Sequence, residues 1–574
     1  MASTVSTGQE DVPGTEYLVD VGHHLDVSHA GKGRSDVVLI PQPTVCGGDT
    51  LTWPQWKKYY QLFLLALYAC AFSYGENTLG AAWTTVSEDT GVSLTNMNGG
   101  SALNYLLLGF VNILWIPTAM KVGRRPVLLL TTLICTSAGI WTANFTGTAQ
   151  WMLSNVLNGV GTSAYQAVIQ LCVFDMFFVH ERGRGLSYYL FGQQLGSILG
   201  LITGGSIADG PGWRWSQWIV AIIDAAVLVL LVISFEETMF PRFLFARHSA
   251  AAAGGSSDRP VESDGGQHKA DPDRKDASVV AEQQPASGVD AEVGDTLPDF
   301  PKRTAVQKLK LWTYYPQDTT TWWQYFRRPF FLFGFPNVVI VSCFPLTNGM
   351  NHIIDTSKSG FIFAFGCTAG IVSFNTISEI LTSPPYNWST TSTGLVFLAA
   401  LVGNGVGWAT GGPFGDALVL HLARRNNGVK EPEMRLWALC ASAVYAAAGY
   451  FLYGWGARAG AHWLTIAFGV GAMIAHQVSA CAVATAYAMD CFPAISGELV
   501  VVLAICSSCI NFAISYSVQP FINAAGYGWA FTFFGLCVLA SMLAAVPMSI
   551  FGKSWRRKCA SKYREFLRER GEVE

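Results

Sequence analysis

Charge is what this chain has least of. Only 13% of its 574 residues are Asp, Glu, Lys or Arg, about half the share of an ordinary soluble protein. The formal net charge is -3, and no basic stripe with interleaved aromatics occurs, which excludes a nucleic-acid partner. A glycine-rich phosphate loop is missing, so ATP-driven transport is unsupported. No Ser/His/Asp or metal-ligand grouping marks the chain as an enzyme, and no metal or cofactor is implied. The 13 cysteines form no disulfide or zinc spacing. Cys70, Cys135, Cys172, Cys440, Cys481, Cys506 and Cys509 sit singly inside apolar runs, where thiols behave as small buried hydrophobes. Met1 precedes polar residues, so no cleavable signal peptide is expected and the first membrane helix serves as the targeting signal. What the chain does have is 51% hydrophobic residues, 58 Gly and 19 Trp. Its solvent is largely lipid.

Runs of roughly 20 mainly apolar residues are long enough to cross about 30 Å of hydrocarbon. They lie near 60–83, 101–119, 126–143, 150–175, 186–207 and 216–235, and again near 330–380, 394–412, 436–455, 462–489, 497–523 and 528–550. The chain thus reads as an all-α integral membrane protein of twelve transmembrane helices in two six-helix bundles. A disordered cytoplasmic tail over 1–52 precedes the N-terminal bundle, 53–235, and a cytoplasmic linker over 236–328, mostly disordered, separates it from the C-terminal bundle, 329–551; a basic cytoplasmic tail, 552–574, ends the chain. Cationic loops resist translocation. Arg182, Arg184, Arg424, Arg425, Lys430, Arg435 and the cations after Phe551 fall on one side, whereas only Arg214, Lys358 and Arg458 fall near the other. Both termini are therefore placed in the cytoplasm. The cell membrane is the expected location, with the vacuole or another internal membrane as the alternative.

The organising stretch is the turn Lys121-Val122-Gly123-Arg124-Arg125-Pro126, which joins two apolar runs. It recurs in the second half as Gly411-Gly412-Pro413-Phe414-Gly415-Asp416 followed by Arg424-Arg425. Matching basic turns in two sets of six helices are a parallel-repeat transporter signature. The pattern resembles the major facilitator superfamily, from Trp53 to about Lys562. The family's motif between its second and third helices runs Gly-x-Leu-Ala-Asp-Arg-x-Gly-Arg-Arg, and Lys121, Gly123, Arg124 and Arg125 match its end. Met120 stands where the family has the Asp that holds the two halves together on the cytoplasmic side, whereas Asp416 retains that Asp in the second half. This resemblance implies a cytoplasmic gate built from Lys121, Gly123, Arg124, Arg125, Asp416, Arg424 and Arg425, held mainly through the second-half turn. Trp53-Pro54-Gln55-Trp56, Phe174-Asp175-Met176, Gly212-Trp213-Arg214-Trp215, Pro384-Pro385-Tyr386-Asn387 and Asp490-Cys491-Phe492-Pro493 are similar to the fungal drug:H+ antiporter-like twelve-span branch, and within it to the histidinol/polyamine-permease-like group. Two departures stand out: Asn155 replaces the branch's arginine, and Leu201 replaces the proline of the antiporter motif on the fifth helix.

An ionisable group inside a span costs about 3 kcal/mol unless it faces protein or water, so each is a functional candidate. Glu76, with Asn77, lies past the middle of the first helix toward the outer face, and reads either as a solvated carboxylate or as a proton or cation site. Asp224 on the sixth helix is the second candidate, with a packing or partner-bonding role as the better reading. Gln166 and Gln170 share a helix face, Gln193 opens the glycine-rich face of the fifth helix, and Asn375 and Glu379 repeat the four-residue spacing. His476 and Gln477 lie at the centre of the tenth helix and Asn511 on the eleventh. These polar groups either bond neighbouring helices or, as the resemblance implies, surround a central cavity. Aromatic residues such as Tyr68, Phe72, Tyr74, Phe361, Phe363 and Phe365 suit an apolar pocket. Asn144 and Asn387 are glycosylation candidates in outer loops.

The expected function is secondary active transport of a small molecule by alternating access in a lipid bilayer, by a monomer with protons as the coupling ion. Efflux of a secondary metabolite or drug-like compound is the first reading. Proton-coupled uptake of a cationic nutrient such as a polyamine is the second, and a non-transporting nutrient receptor the third, disfavoured by the short tail after Phe551. One stretch breaks the pattern: Val341 to Lys358 interposes polar backbone that lipid does not tolerate in the seventh helix, and joining Ile340 to Ser359 restores a span of family length. A translated in-frame intron over 341–358 accounts for it, since Val-Ser is encodable by a donor-like GTGAGT and Lys by AAG; a reentrant or outer insertion is the alternative. Sequencing the mature transcript tests this: the intron reading expects these codons to be missing, and a message that keeps them overturns it.

Overall fold

Lipid offers the backbone no hydrogen-bond partners, so a chain this apolar satisfies its amides within helices. The computed structural model describes residues 12–20, 36–41, 43, 48–80, 82–240, 321–333 and 355–569. In the first half these form α1 (Gln55–Asn77), the short α2 (Trp83–Thr90), α3 (Leu94–Phe110) and α4 (Asn112–Lys121), then α5 (Arg124–Ala143), α6 (Thr148–Met176), α7 (Arg182–Asp209) and α8 (Trp213–Ser234). After α9 (Trp322–Phe333) come α10 (Asp355–Thr382), α11 (Thr390–Leu395), α12 (Phe397–Ala409), α13 (Gly415–Arg425), α14 (Leu439–Ala459), α15 (Trp463–Cys491), α16 (Ser496–Leu543) and α17 (Ala545–Glu569).

Several passes are compound. α3 and α4 make one crossing. α11 to α13 make another, joined by a π-turn over Thr410–Phe414 that contains Pro413; proline lacks the amide the ladder needs, and the looser turn absorbs the missing bond. α16 holds two crossings, broken at Gly526, whose φ of 78° is open to glycine. Among the described residues, eight helical stretches are long and apolar enough to span a bilayer by length and composition. α6 and α7 fall outside that set because their buried faces are rich in Gly, Gln, Ser and Thr, and α1 because Lys57, Lys58, Gln61, Glu76 and its tyrosines lower its hydropathy. Counting them and the doubled α16 gives the expected twelve passes.

Close backbone approach replaces the hydrophobic effect as the packing force between helices in lipid. On α7 a glycine every fourth residue forms a flat stripe. A Cβ added at Gly192, Gly196, Gly200 or Gly204 would stand 2.7, 2.0, 2.6 or 2.0 Å from the carbonyl oxygens of Ala66, Cys70, Tyr74 and Thr78 on α1. The second half repeats the device between α12 and α15, where a Cβ on Gly403 would meet the Gly471 carbonyl at 1.9 Å and one on Gly407 the Ala475 carbonyl at 2.7 Å.

The cytoplasmic segments depart from the sequence expectation. Residues 12–20 and 36–41 of the tail expected to be disordered are docked. β1 (Glu16–Tyr17) pairs antiparallel with β2 (Val429–Lys430), and Leu18, Val19 and Val37 form an apolar cluster with Val179, Val419, Leu420 and Ala423. The tail thereby touches both halves. The start of the linker is equally ordered: Glu237, Thr238, Met239 and Phe240 are buried, and Lys57 pairs with Glu236 at 2.8 Å. Its last described part is α9, whose Trp322 donates to the Thr118 hydroxyl at 3.1 Å. The basic C-terminal tail is the helix α17, in which buried Arg556 holds both carboxylate oxygens of Glu433, at 2.9 and 2.7 Å, and donates to the Pro13 carbonyl. In each case a few charged residues find partners far along the chain, which local composition does not reveal. Of the suspected insertion, 341–354 lies outside the described residues, and Asp355 to Lys358 form the first turn of α10 rather than part of an interruption.

The glycine stripe gives a direct test. Gly196→Val places a branched side chain on the Cys70 carbonyl, an overpacking that costs about 1–3 kcal/mol or more. The variant is expected to lower the yield of monodisperse protein in fluorescence size-exclusion chromatography several-fold, while valine at Gly147, where the backbone is extended and an added Cβ meets nothing within 4 Å, leaves it unchanged.

Candidate functional site

The polar residues of the first half converge on a cavity of about 70 Å³ enclosed by α1, α3, α5, α6 and α8. α1 ends at Asn77, earlier than the apolar run suggests, so Glu76 stands in its last turn rather than just past its middle. α2 folds back over it and contributes Trp83 to the wall. The Tyr165 hydroxyl donates to Glu76 Oε2 at 3.3 Å, and Gln193 donates to the same hydroxyl at 3.4 Å, so one relay ties α1, α6 and α7 together. Asn77 faces the other way and donates to Ser73 O and Ser197 Oγ, at 2.9 and 3.2 Å, bonding α1 to α7. Asp224, buried at 2% exposure, lines the same cavity, as does Asn155. Tyr165, Tyr105, Asn104 and Gln217 complete the cluster and were not singled out by the sequence. A tyrosine or amide four or seven residues from another polar group on an apolar helix was the available signal.

α2 is pinned at its far end. Asp89 accepts from Trp213 Nε1 at 2.9 Å and pairs with Arg214 at 2.5 Å. The indole and then the guanidinium hold its carboxyl below its ordinary range. A depressed carboxylate contributes its stabilising effect above its ordinary pKa and loses it only as pH falls through the lower value. The contribution of Asp89 to pinning α2 is therefore lost only as pH falls below the ordinary carboxylate range.

The remaining candidates do not join this cluster. Gln166 is buried near mid-helix, and Gln170 donates to the Tyr189 hydroxyl at 3.0 Å. Gln477 packs on Gly370 of α10, and Asn511 donates to Ser507 at 3.3 Å within its own helix. Glu379 is exposed and accepts from Gln519 at 3.1 Å. Asn375 lies on α10. His476 is fully buried, with Nδ1 at 2.9 Å from the Ser442 hydroxyl and 3.1 Å from its carbonyl. It bridges α14 and α15 inside the C-terminal bundle. Asn144 and Asn387 are both exposed at helix ends. A larger groove, mostly apolar and involving none of the candidate polar residues on the helices, runs along α11, α12, α14 and α15.

Both repeats of the basic turn are built around a carboxylate. Gly123 has φ 116°, and a Cβ there would stand 2.4 Å from Glu237 Oε2. Glu237 accepts from the backbone amides of Arg124 and Arg125 at 2.9 and 3.0 Å, satisfying orphan donors at the positive end of α5. The arginines are consequently buried rather than solvated. Arg124 pairs with Asp175 at 3.2 Å, and Arg125 donates to the Val232 carbonyl at 2.6 Å. In the second half Asp416 Oδ1 pairs with Arg435 at 2.9 Å, while Oδ2 accepts from the Arg184 amide at 2.8 Å. That last bond crosses between the halves. Arg182 stands 3.9 Å from Asp490, which Lys430 and Arg435 also hold, at 2.9 and 3.4 Å. Burial pushes the Lys430 ammonium below its ordinary range, with Asp490 and Glu16 opposing. Arg424 reaches outward to Asp36 of the tail, at 2.9 Å, and Arg425 is exposed.

The Major Facilitator Superfamily domain profile matches residues 65–498. The chain belongs to this superfamily. An uncharacterized MFS-type transporter of Schizosaccharomyces pombe is 25% identical, the match covering 98% of this chain and 96% of that protein. The MFS antiporter QDR3 of Candida albicans is 28% identical over 36% of this chain and 29% of its own length. Among solved structures, the proton:xylose symporter XylE superposes with a TM-score of 0.53 at 13% identity, covering 86% of this chain and 96% of that one. This supports the fold alone. The chain is thus a multi-pass membrane protein and a secondary transporter of small molecules, and not an enzyme.

Where the superfamily places an acid, Met120 lies against the start of α16: a Cβ on Gly497 would meet its sulfur at 2.7 Å. The next residue, Glu498, is buried at 1% exposure in the first turn of α16. The helix end already has its negative charge. Met120→Asp would set a second carboxylate beside it in low dielectric, where like charges repel strongly. We expect a lower melting temperature and slower transport for Met120→Asp and neither change for Met120→Leu; unaltered transport kinetics in Met120→Asp would count against this reading of the gate.

Proposed function

We propose that the chain is a proton-coupled efflux transporter for a secondary metabolite or drug-like compound, working as a monomer in the cell membrane with both termini in the cytoplasm. The observation that carries coupling is Glu76: a half-buried carboxylate lining a cavity with several polar residues, held by Tyr165, with no Arg, Lys or His among the described residues of its wall. Such a group needs a positive charge from outside the protein, and a proton is the smallest one available. Tyr165 and Gln193 tie its protonation to α7, whose N-terminus carries the bridge to Asp416. Proton release at Glu76 thereby has a mechanical route to the cytoplasmic gate formed by Gly123, Arg124, Arg125, Asp416 and their partners. The similarity to an antiporter supports the outward direction.

The second reading, uptake of a cationic nutrient, is favoured by one feature: Asp224 adds a second carboxylate to a cavity without a counter-charge. Counterflow in proteoliposomes under an imposed pH gradient separates the two. Accumulation opposite to proton flow supports efflux, and accumulation with proton flow supports uptake. In either direction Glu76→Gln is expected to abolish gradient-driven transport while leaving energy-independent exchange measurable; gradient-driven transport at the wild-type rate would remove Glu76 from the coupling route.

A further inference from the structure

We propose that the cavity between α1 and α8 is a binding site for a small monovalent cation, an alkali ion or a primary ammonium group, held by Glu76 and Asp224 with neutral oxygen ligands between them. Two carboxylates from helices far apart in sequence line one cavity, and among the described residues of its wall there is no Arg, Lys or His. Around them several side-chain atoms are buried without any hydrogen-bond partner: Glu76 Oε1, Asp224 Oδ1, Asn104 Oδ1 and one end of the Gln217 amide. Asp224, Asn104 and Gln217 are only 2%, 7% and 5% exposed, so bulk water does not serve them. A carboxamide can turn to present its oxygen. As they stand, Glu76, Asp224 and Asn104 present three unpartnered oxygens, two of them on carboxylates, and the unpartnered atom of Gln217 is Nε2, so that turning its amide brings a fourth oxygen to the site; such a set is the chemistry of hard monovalent cations and of ammonium groups.

The size agrees. A volume of about 70 Å³ has room for a small cation and a few water molecules, since roughly 10–15 Å³ of such space holds one water. It does not hold a drug-sized substrate. Water would satisfy the orphaned atoms, but each of the two carboxylates would then still need a proton to be compensated. A bound cation meets both needs at once. The scaffold around the site is stiff: the glycine stripe of α7 fixes α1, and Asp89 fixes the cap over the top.

The site goes beyond proton coupling, and it is tested with no gradient present, so its failure leaves the transport reading standing. The probe is full-length protein in lipid nanodiscs at fixed pH, with NaCl, LiCl or methylammonium chloride exchanged against choline chloride at constant ionic strength. Thermal unfolding is followed by tryptophan fluorescence. A saturable rise in melting temperature is expected with at least one small cation and not with choline. Saturation by Na+ or Li+ alone identifies an alkali-ion site, and saturation by methylammonium alone an ammonium site. Asp224→Asn and Glu76→Gln should each raise the half-saturating concentration at least tenfold. Should either variant not fold, Gln217→Leu, which removes only a neutral ligand, should still raise it. Curves in every salt that superimpose on choline, or variants that respond as wild type does, overturn the proposal.

Discussion

A carboxylate placed on the exposed amides of a helix N-terminus is the interaction on which the basic-turn end of this structure depends. Four amides at each helix start have no partner in the helix, and the macrodipole makes that end positive. Glu237 closes the start of α5 and Asp416 the start of α7. The first lies within the N-terminal half and fixes the linker to it. The second joins the two halves, and Arg435 holds it in place. Once these ends are closed, the arginines beside them are free to serve buried acids such as Asp175 and Asp490 rather than solvent.

The outer and inner ends of the N-terminal bundle are thereby linked by rigid elements. Gly192 to Gly204 hold α7 against α1 at backbone distance, so the helix whose N-terminus reaches Asp416 is also the helix whose Gln193 reaches Tyr165 and, through it, Glu76. A change of charge at Glu76 and a change of contact at Arg184 act on one stiff body. The tail adds a second bridge across the cytoplasmic face, through β1, Leu18 and Val37.

Much of this was legible in the sequence because lipid imposes strict rules on length, apolarity and loop charge. The twelve passes, the repeated basic turn, the glycine stripe and the candidacy of Glu76 all follow from local patterns. What escaped depends on partners distant in sequence. Nothing near Glu237 says that it will cap Arg124, and nothing near Glu16 or Arg556 says that the tails will fold against Lys430 and Glu433. The interaction of Asp224 with the Glu76 cavity was missed for the same reason, since helix-face arguments place a residue on its own helix and not opposite another. His476 looked central by position along its helix, but its direction around the helix axis, toward Ser442, decides its surroundings.

The central claim is that Asp416, bound to the Arg184 amide, holds the cytoplasmic ends of the two halves together. Double electron–electron resonance between spin labels at exposed Gln55 and Asn427, in a background lacking reactive cysteines, reads that separation directly. The account predicts one dominant short distance in the native sequence and a marked shift of population to a longer distance in Asp416→Ala. An unchanged distance distribution in Asp416→Ala would contradict it.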